Sequence, residues 1–126
     1  MVTNQYRQDI RERTFIFALD TLKCCKAVRE TKKEFVITQQ LSRSATSVGA
    51  NVREARNAVS KADFVNKLSI SQKECDESIY WIELLIAFTE QENEELKRLM
   101  SEANELLKIL SAIIIKTKVN SNWSKR

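Results

Sequence analysis

Histidine and proline are absent from the chain, and glycine occurs once in 126 residues. Without histidine there is no Ser-His or Cys-His nucleophile pair, and none of the Glu-x-x-His ligands of ferritin-like bundles. With one glycine there is no loop of the kind that cradles phosphates. Turn-rich β folds and Rossmann-type folds need glycine and proline at fixed points, so neither fits. Apolar runs are short: Ala112–Ile115 is far below the ~20 residues that cross a bilayer. Cysteine is scarce, as Cys24, Cys25 and Cys75. An odd count with two neighbours makes no disulfide framework, and the three read as small core residues of a reduced, cytosolic protein. The opening MVTNQYRQDIRERTF is charged and lacks the apolar centre of a secretion signal.

What the chain does have is charge and helical periodicity. Lys and Arg number 21 against 17 Asp and Glu, a net charge of +4. The surplus lies in the first half: residues 1–61 hold 12 basic and 6 acidic side chains, residues 62–126 hold 9 and 11. Two readings follow: an anionic partner for the first half, or complementary faces that meet inside an oligomer.

Apolar spacing predicts four helices in one domain over 1–126, with no repeat or linker. The first spans about 4–29 and carries Ile10, Phe17, Leu22, Cys25 and Val28. The short break ETKKE leads into a second over about 34–57. After NAVSKAD, Ser60 and Asp63 make a capping-box pattern that starts the third near Lys61, and it runs to about Thr89. EQENEE supplies carboxylates to the start of the fourth, where the helix dipole favours negative charge. Its apolar positions are Leu96, Leu99, Met100, Ala103, Leu106, Leu107, Leu110, Ile113 and Ile114, and residues 117–126 read as a frayed tail. Short connections between long helices give an all-α, antiparallel up-down-up-down four-helix bundle.

The second helix has an unusual middle, RSATSVGANVRE at 43–54. On a helical wheel Ile37, Leu41, Ala45, Val48, Val52 and Ala55 share one stripe. Beside it, Ser44, Ser47, Asn51 and Glu54 recur at spacings of three, four and three, a seam of small polar groups. Arg43, Thr46, Ala50, Arg53 and Asn57 take the remaining face. Three faces where a surface helix of a monomer has two point to a second helical neighbour, in the bundle or in another subunit, the alternative being a merely solvated polar face. Gly49 costs a helix interior about 1 kcal/mol, a further sign of close approach. In the third helix Glu74 falls inside an apolar stripe with Ile70, Trp81 and Leu85, and Glu77 borders it. A carboxylate so placed needs donors. Ser44, Ser47, Asn51 and Arg43 or Arg53 are the candidates, giving a structural polar layer of Ser44, Ser47, Asn51, Glu54, Glu74 and Glu77. A metal held by Glu54, Glu74 and Glu77 is not expected in a chain without histidine.

These residues resemble a known family. QQLSRSATSVGANVREA, SKADFVNKLSISQKECDESIYWIELL and the leucine-rich last helix are similar to the bacterial four-helix-bundle proteins of the 23S rRNA-intervening-sequence family, over roughly residues 10 to 118. The most specific matches are Arg43, Ser44, Ser47, Asn51 and Glu54, then Lys73, Glu74, Glu77, Ser78, Tyr80 and Trp81. Where many members have a glycine after the glutamate, this chain has Ala55-Arg56. The resemblance implies a small cytosolic bundle that forms a ring-shaped homo-oligomer, typically a pentamer. It also relates the chain to the accessory variability determinant of diversity-generating retroelements, a basic barrel that binds nucleic acid and a reverse transcriptase.

The expected function is therefore a non-enzymatic scaffold without cofactor, catalytic residue or membrane association. Its partners would be copies of itself, RNA or DNA held through backbone charge, and a reverse transcriptase or other protein. Arg43, Arg53, Arg56, Lys32 and Lys33 are the candidate nucleic-acid contacts. Aromatic platforms for bases are scarce, although Trp123 lies in the basic tail. The alternative is a protein–protein interaction module with no nucleic-acid role.

Overall fold

The computed structural model describes residues 9–90, 93–120 and 123. They form four helices: α1 (Ile10–Lys32), α2 (Val36–Ala55), α3 (Lys61–Thr89) and α4 (Glu94–Val119). Each helix packs on its sequence neighbours and α4 closes back on α1, which makes an antiparallel four-helix bundle. The α2–α3 interface is the most extensive and the α1–α4 interface the least.

Every helix start has a carboxylate, hydroxyl or amide on its free N–H groups. Asp9 accepts from Glu12 N–H, Ser60 from Asp63 N–H and Asn93 from Leu96 N–H. Ser60 caps α3 as its pattern predicts, and Asp63 reaches back to the Val59 N–H rather than to Ser60's own. α2 is capped differently. The buried Glu34 carboxylate accepts from the N–H groups of Val36, Ile37 and Thr38 at 3.0, 2.8 and 2.9 Å. Glu34 thus precedes the helix that the spacing had it begin. α1 and α3 end at Lys33 and Glu90, both left-handed with φ of 56° and 51°. Glycine normally fills that position, and this chain has none to spare.

The apolar stripe of α2 is buried throughout, as are Leu96, Leu99, Ala103, Leu106, Leu110 and Ile114 of α4. α1 departs from the expected pattern. Its buried row is Thr14, Phe17, Thr21, Cys24, Cys25 and Val28, while Leu22 is 43% exposed. Phe17, Cys25 and Val28 are buried as expected, but threonines hold two of the inward positions, so a search for apolar letters picks Leu22 in place of Thr21. α4 is also longer than its periodicity suggested: residues 117–119 are helical and Thr117 is buried. The expected helical start at residues 4–8 and the tail at 121, 122 and 124–126 lie outside the described residues.

Candidate functional site

The small-residue seam of α2 faces α3 within the same bundle. Ser44 Oγ lies 2.8 Å from Ser78 Oγ, and Ser71 Oγ donates to the Val48 carbonyl at 2.8 Å; all three serines are buried. Short side chains bring the two backbones close enough for a hydroxyl on one helix to reach a carbonyl on the other. Gly49 serves the opposite neighbour. A Cβ there would meet the Thr14 carbonyl oxygen and hydroxyl at 3.3 Å, so the glycine lets α1 lie against α2.

Charge enters this layer from one end. Arg43 reaches across to Glu77 at 2.6 Å and stands 3.6 Å from the Glu74 carboxylate. Glu77 also accepts from the Trp81 indole N–H at 3.2 Å. Glu74 is buried, and its Oε1 accepts no hydrogen bond among the described residues. Glu77 is only partly buried, its side chain 32% exposed. The donors differ from those expected. Asn51 donates to the Ser47 carbonyl on its own helix, and Ser44 is engaged by Ser78. Arg43 alone reaches both carboxylates. Glu54 is exposed and pairs with Lys67 at 2.9 Å, away from Glu74 and Glu77. Among the described residues no three His, Cys, Asp or Glu side chains are grouped to hold a metal ion.

The five candidate nucleic-acid contacts do not form one surface. Arg43 is half-exposed, but its guanidinium is committed to the polar layer. Lys32 and Lys33 end α1, whereas Arg53 and Arg56 end α2 at the opposite pole, about 30 Å away for a twenty-residue helix. Arg53 and Arg56 are exposed and make no ion pair among the described residues. The bundle adds cations at their pole that the sequence reading did not assign. Arg11 begins α1, Lys61 begins α3, and Lys116 and Lys118 end α4. Antiparallel packing is the signal that would have found them, because it brings the starts of odd helices to the ends of even ones. Three of the acids nearby are engaged, Asp9 with Arg11 at 2.8 Å, Glu54 with Lys67, and Asp63 with the α3 cap, while Glu12 in the first turn of α1 is exposed. The Arg11 guanidinium holds the Asp9 carboxyl below its usual range.

The same pole contains a cavity of about 420 Å³ between the four helix ends. Val52, Phe64, Leu68 and Ile113 form its apolar lining, Trp123 closes one side, and Arg11, Arg56 and Lys116 stand around it. Lys61 Nζ donates to the carbonyls of Lys118 and Asn120 at 3.1 and 2.9 Å, tying the end of α4 to the start of α3. Beyond that clamp the Trp123 ring rests on Phe64, with centroids 5.8 Å apart.

No helix of the described residues is long and apolar enough to cross a membrane. The three cysteines are buried and unpaired. Burial pushes the Cys24 thiol up to about 11 and the Cys75 thiol up to about 12, so neither has the character of a nucleophile. A family model described as 23S rRNA-intervening sequence protein matches residues 7–112. Among solved structures, a protein of unknown function from the S23 ribosomal protein family of Bacteroides thetaiotaomicron is 40% identical. That match covers 84% of this chain and 98% of the other, with a TM-score of 0.80. No curated protein matches the chain.

Proposed function

The chain belongs to the 23S rRNA-intervening sequence protein family, and from that premise we propose that it is a non-enzymatic, homo-oligomeric scaffold that binds nucleic acid through backbone charge. The observation that carries this reading is the basic pole. Arg53 and Arg56 stand free of ion pairs among the described residues, beside Arg11, Lys116 and Lys118. A ring of subunits, a pentamer by resemblance, would repeat that cluster around its circumference. Lys32, Lys33 and Arg43 have no part in it, being distant or already paired.

Such binding falls with salt: each phosphate neutralised contributes a slope of about −0.9 to log K against log salt on duplex DNA. The test is a gel shift across a salt series with Arg53→Glu plus Arg56→Glu. Wild type should bind with a steep slope and little sequence preference, and the double variant should not bind while keeping its helicity and oligomer mass. Undiminished binding by the variant would remove these arginines from the interface.

A second reading rests on a different surface. Phe15, Ile16, Leu19 and Leu22 of α1 are 58%, 40%, 41% and 43% exposed, a run of apolar side chains on one helix. It supports association with copies of the chain or with another protein. If wild type gives no shift even at low salt, this interaction module remains without a nucleic-acid role.

A further inference from the structure

We propose that the cavity at the basic pole takes one unpaired base of a single-stranded nucleic acid, so that the protein prefers single strands to duplex. The inference rests on the nucleic-acid reading above and adds a stacking site to it. Single-strand binders combine cations that follow the phosphates with aromatic rings on which bases stack. The pole has both within one cavity. Phe64 and Trp123 give an aromatic wall and Ile113 an apolar one, and Arg11, Arg56 and Lys116 surround them. A volume of about 420 Å³ lies in the range of small-molecule sites and admits a nucleoside. Asp9 is the one acid in the lining, and Arg11 already neutralises it at 2.8 Å. An anion is therefore the complementary occupant, and a flat apolar body is what the walls accept. Paired bases in a duplex have their faces stacked on one another and cannot enter; a single strand can turn one out.

Two contacts hold this end of the site: Lys61 ties the Lys118 and Asn120 carbonyls to the start of α3, and the Trp123 ring rests on Phe64 with centroids 5.8 Å apart. An indole presented beside Arg56 and Lys116, the two lining cations not matched by Asp9, is a base platform of the sequence-tolerant kind, since every base has a π face.

The chain has two tryptophans, so Trp81→Phe leaves Trp123 as the sole indole reporter. The probes are oligo-dT of about 16 nucleotides, near the upper site size of a single binding fold, and a duplex of equal length. Oligo-dT should quench Trp123 emission to saturation, and the duplex should bind without that quench. Trp123→Ala should weaken oligo-dT binding at least about five-fold, the low end for one stacked base. It should leave duplex binding and circular dichroism unchanged, and Trp123→Phe should retain most of the single-strand affinity. Equal loss for both probes, or an unchanged Trp123 signal at saturating oligo-dT, overturns the stacking site while backbone binding stands. Failure of both probes to bind at low salt overturns the nucleic-acid reading and the stacking site together.

Discussion

Arg43 shows how one side chain can decide between a surface role and an internal one. By sequence it sits on the outer face of α2, yet its guanidinium spans to Glu77 and Glu74 across the helix boundary. Removing it leaves Glu74 buried without its cation, and an orphaned buried charge typically costs about 3–5 kcal/mol. Arg43→Ala should fall near the lower figure in urea melts, because Arg43 itself is half-exposed and Glu77 can turn to solvent. Glu94→Ala, on the exposed first turn of α4, should stay within about 0.5 kcal/mol. Adding Glu74→Leu to Arg43→Ala should recover much of the loss, since an apolar group at that position needs no counter-ion. Equal midpoints for Arg43→Ala and Glu94→Ala would mean that the ion pair does not support the fold. The cysteines give a separate residue-scale expectation. Burial raises the Cys24 and Cys75 thiols from the ordinary 9.0 to about 11 and about 12 in the folded state. Between the unfolded and folded values the native chain keeps protons that the unfolded chain has lost, so stability falls as pH rises. The melting temperature should be insensitive to thiol ionisation near pH 7 and should fall above about pH 9. Replacing both thiols by alanine should flatten that alkaline slope even though the cavities lower stability overall.

Among the helices, ends are legible where caps and polar breaks mark them, and buried faces are legible only where they are written in apolar letters. α3 begins at Lys61 and ends at Thr89 as its spacing and cap predict, and the α2 stripe is buried position for position. In α1 the apolar letters place Phe17, Cys25 and Val28 correctly and fail at Leu22, because Thr14 and Thr21 point inward and no apolar count can tell a buried threonine from an exposed one. The α2 seam could be read as a contact face from its small residues. The helix it meets could not, because Ser71 and Ser78 of α3 are legible only once the pairing is known. The basic pole was hidden for a related reason: its cations come from four helix ends spread along the whole chain. Leu22, the misread position, belongs to the α1 stripe with Phe15 and Leu19, and that stripe carries the element-scale prediction. Phe15→Glu with Leu19→Glu alters side chains that are 58% and 41% exposed, so the bundle should still fold. Light scattering should then give the 14.6 kDa monomer in place of a larger wild-type mass. An unchanged oligomer in the variant would place the contact elsewhere, and Tyr80 and Phe88 of α3, 54% and 63% exposed, are the next apolar surface to test.

Taken as a whole, the molecule is a closed ring of four helices in which three interfaces join neighbours along the chain. Only α1 with α4 joins its two extremes. That seam is the least extensive, and it carries a two-point lock: Arg13 donates from its guanidinium to both Glu102 oxygens, at 3.1 and 2.8 Å. The geometry has a consequence in time. Contacts between adjacent helices close short loops and are entropically cheap, whereas the α1–α4 seam closes nearly the full chain and gains least in return. It should therefore form after the folding barrier, as a late zipper on a bundle already assembled from α2 and α3. Arg13→Ala, if it removes about 1 kcal/mol, should speed unfolding roughly five-fold and leave the refolding rate nearly unchanged. Stopped-flow denaturant jumps, at concentrations too low for subunits to associate, read both rates; a slowed refolding limb would mean that the seam is already made at the barrier. If the lock does form last, it is also the first to open, and α1 becomes the helix a subunit can lend to its neighbour.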